Sequence, residues 1–212
     1  MAASGRNNAV DKRRLILDAA VRVFARRGFH HCRVSDVADE AGVAYGLVYH
    51  YFSSKEEILN TLFLERWQVM LDAISEIDAR DELTAREKLE RVAGFIVDSY
   101  RNDPELMKVI IVEVTRAANS FGRLHLDKIR EAYEGIASIV EGARDDGSFK
   151  SEIPSEFAAM FFYGAIEQLL TGWIFEVLPQ TDEEFERSKA LVVEAICDGL
   201  ASARPGSPAA SG

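Results

Sequence analysis

Apolar residues recur every three or four positions along almost the whole chain, which is the spacing of one face of an α-helix. Alternating apolar and polar residues, the pattern of strands, are nearly absent. The pattern therefore predicts an all-α fold of about nine helices. We expect them over residues 11–27, 35–41, 45–52, 54 or 55–78, 84–100, 104–118, 123–146, 154–177 and 182–203.

Two of the predicted helices are short and lie close together near the N-terminus. The turn between them is Gly42-Val43-Ala44, and a short turn with glycine is typical of a helix-turn-helix. We expect Ser35 to cap the first helix and Ser54 with Glu57 to form a capping box at the next long one. The second short helix is too short to fold alone, so it must pack through Leu47, Val48 and Phe52. Four residues then face outward: Tyr45, Gly46, Tyr49 and His50.

These outward residues suit contact with a DNA duplex. Two exposed tyrosines are costly unless they touch something, and Tyr45 is placed to meet base edges in a major groove. The hydroxyl of Tyr49 and the imidazole of His50 suit phosphates, as do Ser35 at a helix start and the long side chain of Lys55. The alternative interpretation is a helical hairpin with surface aromatics.

The charge distribution supports this interpretation. The chain has a net charge of −10, but residues 1–55 carry +4 and the remaining residues −14. A basic head on an acidic body is expected when one end of a protein meets phosphate.

The segment from Arg33 to Leu59 reads RVSDVADEAGVAYGLVYHYFSSKEEIL, and residues 16–29 before it read ILDAAVRVFARRGF. Both resemble the signature of the TetR family of transcriptional regulators, without a gap over about residues 11–65. The resemblance implies an all-α homodimer, a ligand pocket in the body and release from DNA when ligand binds. With the flanking positions, we expect the DNA contacts to come from Arg33, Ser35, Ala44, Tyr45, Gly46, Tyr49, His50 and Lys55.

This interpretation divides the chain into four parts. Residues 11–55 are predicted to form the helix-turn-helix domain, and residues 56–203 a helical domain for ligand binding and dimerisation. Residues 1–10 and 204–212 have little to pack and are predicted to be a disordered arm and a disordered tail.

The helix predicted over residues 154–177 is apolar on two faces, so both faces must be buried. One face suits the core of its own subunit. The other, with part of the last helix, suits a partner in a homodimer, which would match palindromic half-sites. The predicted interface residues are Phe157, Phe161, Gly164, Gln168, Thr171, Phe185, Val192 and Ile196. The alternative is that all of them belong to the core of one monomer.

Large apolar residues in the body are candidates for a ligand pocket, although each is also an ordinary core residue. Residues 101–130 form an island of net charge +2 within the acidic body, which suits an amphiphile with an anionic head such as an acyl-coenzyme A. The predicted effector contacts are Phe95, Met107, Ile111, Val114, Arg116, Phe121, Arg123, Lys128, Tyr133, Phe162, Ile166 and Trp173.

The segment FYGAIEQLLTGWI at residues 162–174 resembles the FadR-type, fatty-acid-responsive branch of the family. The hypothesis is a repressor of fatty-acid genes that long-chain acyl-coenzyme A releases from its operator. The alternative effector is a hydrophobic cation or drug, as for family members that control efflux, bound by acids such as Glu113, Glu167 and Glu176.

Other functional classes have weaker support. An enzyme is not expected, because the chain has no GxSxG, HExxH or glycine-rich phosphate loop, and His30-His31-Cys32 cannot readily close on one metal ion. We therefore expect neither a cofactor nor a metal. A helical interaction module without DNA binding is a second alternative. Two distant cysteines, no signal peptide and no apolar run of about 18 residues predict a cytoplasmic protein without a membrane segment.

Overall fold

The computed structural model describes residues 2–114, 122–145, 149 and 153–198, and it describes side chains within these ranges except for 2–10, 113–114 and 122–124. This part of the chain contains nine α-helices and no strand, which confirms the all-α prediction. The helices are α1 (Ala2–Arg27), α2 (Val34–Ala41), α3 (Tyr45–Tyr51), α4 (Lys55–Asp78), α5 (Ala85–Asn102), α6 (Pro104–Lys108), α7 (Gly122–Asp145), α8 (Ser155–Ile174) and α9 (Asp182–Cys197).

The N-terminal arm differs from the prediction. Residues 2–10 continue α1 instead of forming a disordered arm. No proline interrupts this segment, and extending an existing helix costs less than starting one, because each added residue gains a hydrogen bond. The predicted tail, residues 204–212, lies outside the described residues.

The start of α2 also differs from the prediction. The first helical residue is Val34, and Arg33 takes the capping position that we expected of Ser35. The Asp36 carboxylate reaches back and accepts a hydrogen bond of 2.7 Å from the Arg33 backbone N–H. Because the carboxylate satisfies a backbone donor before the helix begins, the helix starts one residue earlier.

The predicted capping box at α4 is confirmed in one half. The Ser54 hydroxyl accepts a hydrogen bond of 3.2 Å from the Glu57 backbone N–H. The Glu57 carboxylate, however, accepts from the backbone N–H and the hydroxyl of Ser53, both at 2.6 Å. These bonds hold the pKa of Glu57 below its ordinary value.

The helix predicted over residues 104–118 changes its winding. It begins as α6, where the Asp103 carboxylate accepts from the Leu106 N–H at 3.0 Å. It then continues as a π-helical segment, Val109–Val114, and residues 115–118 lie outside the described part. Apolar spacing does not distinguish a π-helical turn from an α-helical one.

The chain forms two compact units. The first contains the residues up to Ser75 together with Asp98–Ala132, and the second contains Glu76–Val97 together with the residues from Tyr133 onwards. Each unit is therefore discontinuous in sequence, unlike the predicted division between residues 55 and 56. Helices α4, α5 and α7 each contribute residues to both units. The boundaries between the units therefore fall within helices and not in the loops between them.

Each unit has its own apolar core. In the first unit the fully buried side chains include Ile16, Phe24, Val37, Val48, Ile58 and Phe63. In the second they include Leu89, Ile136, Phe162, Ile166 and Trp173, and the Trp173 ring meets Phe185 edge-on at 4.7 Å.

Helix α8 is long and apolar enough to cross a membrane by length and composition, with a mean hydropathy of 1.2. Core helices of globular proteins meet the same criterion. Here Phe162, Ile166 and Trp173 of α8 are fully buried in the second unit.

Candidate nucleic-acid interface and effector region

A tight turn sets the angle between α2 and α3. Gly42 ends α2 in the left-handed conformation, with φ 63° and ψ 34°. Its N–H donates to Asp39 O at 3.1 Å, and the Val43 N–H donates to Ala38 O at 3.0 Å. A side chain at this φ would be strained, so glycine is the residue that the turn requires.

The inner face of α3 packs as the sequence predicts. Val48 and the following Phe52 are buried, and Leu47 is half-buried. The Arg13 guanidinium of α1 lies 5.6 Å from the centre of the Phe52 ring. These contacts fix the orientation of a helix of only seven residues.

Ion pairs brace α1 against α2. The Glu40 carboxylate accepts from Arg22 at 2.7 Å and from Arg26, and these bonds lower its pKa. The Asp36 carboxylate accepts from Arg27 at 2.7 Å, and its bond with the Arg33 backbone is the largest cause of its lowered pKa. Three arginines of α1 are therefore already paired with acids of α2, although their side chains stay partly exposed.

Four residues of α3 face outward, as predicted. Tyr45 is 52% exposed and Tyr49 is 44% exposed, and Gly46 and His50 are also exposed. The hydroxyl groups of Tyr45 and Tyr49 share a hydrogen bond of 3.1 Å, and the ring centres lie 4.9 Å apart. This bond is the main cause of a raised pKa at Tyr49.

The other predicted DNA contacts have mixed surroundings. Arg33 is exposed and enters no ion pair within the described residues, and Ala44 is exposed immediately before α3. Ser35 is half-buried in the first turn of α2.

Lys55 has a structural role that the sequence did not predict. Its ammonium donates to Phe29 O at 2.8 Å and to Cys32 O at 3.1 Å, and it lies 4.6 Å from the centre of the Phe29 ring. Two of its three N–H donors are thus used to hold the turn between α1 and α2. The lysine ties the start of α4 to this turn.

The predicted effector contacts fall into three groups. Met107, Phe162, Ile166 and Trp173 are buried, whereas Phe95, Ile111, Lys128 and Tyr133 are half-buried. The side chains of Val114, Arg116, Phe121 and Arg123 lie outside the described residues. The Lys128 ammonium donates to Glu131 at 2.8 Å and to Gln68 at 3.2 Å.

Two cavities lie in other places. One, of about 440 Å³, lies in the first unit among α1, α4 and the start of α6, and its wall includes Leu17, Arg66 and Leu106. The other, of about 140 Å³, lies in the second unit beside Phe149 and Cys197. None of the predicted effector contacts lines either cavity. No sequence pattern marked them, because each wall combines residues that are far apart in the chain.

An acidic residue, Glu167, is half-buried in the second unit. Glu167 of α8 lies one turn after Tyr163, whose ring meets Tyr133 edge-on at 5.6 Å. Burial raises the pKa of Glu167. The pKa of Tyr133 is also raised, first by burial and then by the charge of Glu167.

The residues predicted to form the dimer surface are partly exposed on α8, whereas two of those on α9 are buried. Phe157 and Phe161 are 54% and 55% exposed and Gln168 is exposed, whereas Gly164, Thr171 and Ile196 are half-buried. Phe185 and Val192 are buried inside the second unit, so assigning them to an interface was wrong. The physical reason is that Phe185 packs against Trp173, whereas Met160 and Leu191 carry the exposed apolar surface.

Comparison with known protein families covers most of the chain. Residues 16–62 match the family model described as bacterial regulatory proteins, tetR family. Residues 63–186 match the model described as YsiA-like protein, C-terminal region.

Individual relatives agree with these matches. The fatty acid metabolism regulator protein of Bacillus subtilis is 34% identical over 163 residues, which cover 75% of this chain and 81% of the relative. The HTH-type transcriptional repressor KstR2 of Rhodococcus jostii is 27% identical over 151 residues, covering 71% of this chain and 74% of the relative.

Solved structures show the same fold. The fatty acid degradation regulator FadR from Bacillus halodurans superposes with a TM-score of 0.79 at 26% identity, covering 89% of this chain and 96% of that one. The regulator FadR from Bacillus subtilis, solved in complex with stearoyl-coenzyme A, gives the same TM-score and identity and covers 89% of this chain and 100% of that one.

Proposed function

The chain belongs to the tetR family of bacterial regulatory proteins, and we propose that it represses fatty-acid metabolism genes and is released from its operator by long-chain acyl-coenzyme A. The observation that carries this proposal is the likeness to a FadR structure that holds stearoyl-coenzyme A, over 89% of this chain. The protein would act in the cytoplasm, where a bacterial chromosome lies.

The DNA-binding part of the proposal is supported by α3. A recognition helix enters the major groove with its N-terminal residues at the base edges and its other polar groups near phosphates. Tyr45 stands at the first position of α3, and Tyr49 and His50 follow on its exposed side. Arg33 supplies an exposed guanidinium for the phosphate backbone, while Ser35 and Lys55 have a smaller free polar surface.

The effector part of the proposal rests on the body. An acyl chain needs an apolar environment, and the coenzyme A phosphates need cations or backbone donors. Of the predicted contacts in the second unit, Tyr133 is half-buried, whereas Phe162 and Ile166 are fully buried, so an acyl chain would have to open this core to reach them. Lys128 already binds Glu131 and Gln68, so a phosphate would have to compete with these partners.

A gel-shift assay tests both parts. Duplexes enriched by the protein from a randomised pool serve as the operator, and palmitoyl- or oleoyl-coenzyme A is added at micromolar concentration. We expect release of the DNA. An operator complex that stays intact would overturn the effector assignment, whereas failure to enrich any sequence would overturn DNA recognition itself.

Two controls separate specific release from a detergent effect. Coenzyme A without an acyl chain and a non-ionic detergent at the same concentration are expected to leave the complex intact. Release by the detergent would show that any amphiphile dissociates the complex, so that release by acyl-coenzyme A would not be specific.

The release mechanism would act through α4. This helix begins at Lys55, which is tied to the turn before α2, and continues to Asp78 in the second unit. A shift of α4 would carry the recognition helix with it. In a homodimer the two recognition helices must fit successive major grooves about 34–36 Å apart, so a change in their separation lowers affinity. The ligand acts only through its different affinities for the two states.

The homodimer is supported by the exposed stripe on α8. Phe157, Met160 and Phe161 are all about half exposed and lie on one side of the helix. Large exposed apolar patches mark interaction surfaces, and a second copy of the chain would cover this one.

One observation favours a second candidate effector, a hydrophobic cation. The Glu167 carboxylate is half-buried and close enough to Tyr133 for its charge to raise the pKa of that tyrosine, and the Tyr133 ring meets that of Tyr163, a combination of charge and aromatic rings that suits a cation. Replacing Glu167 with Gln keeps the shape and removes the charge. Loss of release by a cationic amphiphile such as cetyltrimethylammonium, with release by palmitoyl-coenzyme A unchanged, would support this candidate, and an unchanged response to both would contradict it.

A further inference from the structure

Two tyrosines on the outer face of α3 form a single unit. Tyr45 and Tyr49 are one helical turn apart, and their rings meet edge-to-face with centres 4.9 Å apart. Their hydroxyl oxygens are 3.1 Å apart, within hydrogen-bond distance. We call these two residues the tyrosine pair. Because each ring restrains the other, the two hydroxyl groups are held at fixed positions before any ligand arrives.

A phosphate contact would give the two hydroxyls different roles. A tyrosine hydroxyl has one proton to donate and lone pairs that accept. A phosphate oxygen only accepts hydrogen bonds, so a Tyr49 hydroxyl on the DNA backbone must donate its proton outward. The hydrogen bond within the pair must then run from Tyr45 to Tyr49, whose oxygens are 3.1 Å apart. The Tyr45 oxygen is left as an acceptor.

The base edges in the major groove respond differently to an acceptor. Adenine N6 and cytosine N4 carry amino groups that donate, whereas guanine O6 and thymine O4 are keto oxygens that accept. An oxygen without a free proton is attracted to the first kind and repelled by the second. Each base pair has one amino group and one keto group in this groove. An acceptor oxygen therefore distinguishes the strand whose base carries the amino group from the strand whose base carries the keto group.

We infer that the tyrosine pair is a reading unit: when Tyr49 donates to a phosphate it accepts the proton of Tyr45, so that Tyr45 selects an amino-bearing base, adenine or cytosine, over guanine or thymine on one strand of each half-site. Tyr45 is the residue that touches the base, and Tyr49 acts on this choice by positioning.

The surroundings of the pair permit this approach. Tyr45 opens α3, and the first residues of a recognition helix are those that reach base edges. Gly46 follows it, and even an added Cβ there would have no neighbour within 4 Å, so the protein surface beside Tyr45 is open. The inference rests on the proposed recognition of DNA by this helix.

Selection from a randomised duplex pool at one salt concentration tests the inference. The full-length protein is compared with Tyr45→Phe, Tyr49→Phe and the double variant. We expect the wild type to show one position per half-site with adenine or cytosine favoured about tenfold over guanine or thymine, the value of one net hydrogen bond. Tyr45→Phe should reduce this preference to about twofold or less.

Tyr49→Phe provides the decisive comparison. It leaves the Tyr45 hydroxyl in place but frees its proton, so Tyr45 can then also donate to a keto oxygen. We expect the preference at that same position to relax, and the double variant to match Tyr45→Phe instead of adding both losses. The control is Tyr51→Phe, on the same helix but half-buried, which should keep the wild-type preference.

The outcomes distinguish a failure of DNA recognition from a failure of the tyrosine pair. A wild type that enriches no sequence overturns DNA recognition, and the inference with it. A wild type that enriches a sequence overturns the inference alone if Tyr45→Phe selects the same bases, if the affected position favours guanine or thymine, or if Tyr49→Phe leaves that position unchanged.

Discussion

The imidazole of His125, on α7, donates from Nε2 to the side-chain oxygen of Asn60, on α4, across 2.5 Å. The ring also lies against Phe63, with centres 4.1 Å apart. His125 is buried, and Asn60 lies little more than one turn after the start of α4 at Lys55. The hydrogen bond between His125 and Asn60, beside the Phe63 ring, therefore joins α7 to α4, the helix that follows α3 in the chain.

Replacing His125 with Leu is expected to destabilise the protein by about 1–3 kcal/mol, because the Asn60 side chain loses a buried partner. His125→Gln keeps a donor of similar reach and should lose less. Urea unfolding measures both variants. Equal stability of His125→Leu and the wild type would show that the bond contributes nothing to the fold.

The same histidine predicts a pH dependence of stability. Burial lowers its pKa below the ordinary value of 6.5, so the folded state favours the neutral ring. Above about pH 6.5 the ring is neutral in both states and its contribution is fully present. As the pH falls below 6.5 the unfolded chain takes up the proton first, and stability is lost until the pH reaches the lower folded pKa. Thermal unfolding of wild type and His125→Gln at pH 8 and pH 5.5 tests this. Between pH 8 and pH 5.5 the melting temperature of the wild type should fall further than that of the variant. An equal fall would contradict the assignment of this pH dependence to His125.

Gly46 is expected to show opposite effects on stability and on DNA binding. Its added Cβ meets no atom within 4 Å, and alanine favours a helix over glycine by up to about 1 kcal/mol. Gly46→Ala should therefore be slightly more stable than the wild type. If the backbone of α3 approaches the DNA closely, the same methyl group should weaken operator binding about tenfold or more.

Gly94→Ala, in α5, is the matched control for this variant. A Cβ at Gly94 also meets nothing within 4 Å, so it should raise stability in the same way while leaving operator affinity unchanged. The close approach is contradicted if Gly46→Ala binds the selected duplex as tightly as Gly94→Ala.

Lys55 and Arg33 are expected to differ although both were predicted from the sequence as DNA contacts. Lys55→Met removes the ammonium from Phe29 O and Cys32 O and should cost about 1.5–3 kcal/mol of stability. Arg33→Met should leave stability unchanged but reduce the salt dependence of operator binding by about one phosphate contact. Melting temperatures and a salt series of gel shifts distinguish the two, and an unchanged melting temperature for Lys55→Met would contradict its structural role.

The outward face of α3 was predictable because it depends on local spacing. Val48 and Phe52 lie one turn apart on the inner side, and Tyr45 and Tyr49 lie one turn apart on the outer side. The glycine turn before α3 was predictable for the same reason, since a left-handed residue at Gly42 is a local requirement.

Other features depend on residues far apart in the sequence or on backbone geometry. The bond from Lys55 to Phe29 O spans 26 residues, and nothing in the motif distinguishes it from a lysine that points to solvent. The π-helical segment Val109–Val114 has the same apolar composition as an α-helix. The assignment of Phe185 to an interface failed because its partner, Trp173, lies on another helix.

The exposed apolar stripe of α8 leads to a last prediction. Phe161→Asp places a charge within the stripe formed with Phe157 and Met160, all about half exposed. If a second copy of the chain covers this face, burying the unpaired charge should weaken the dimer about thirtyfold or more, since central aromatic residues carry much of the energy of an interface. Analytical ultracentrifugation over a concentration series measures the change. Leu126→Asp, a similarly exposed residue on α7, is the control that should leave the association state unchanged. Operator affinity should fall as the dimer is lost, because a monomer contacts only one of the two half-sites. A Phe161→Asp variant that associates like the wild type would exclude this face as the interface.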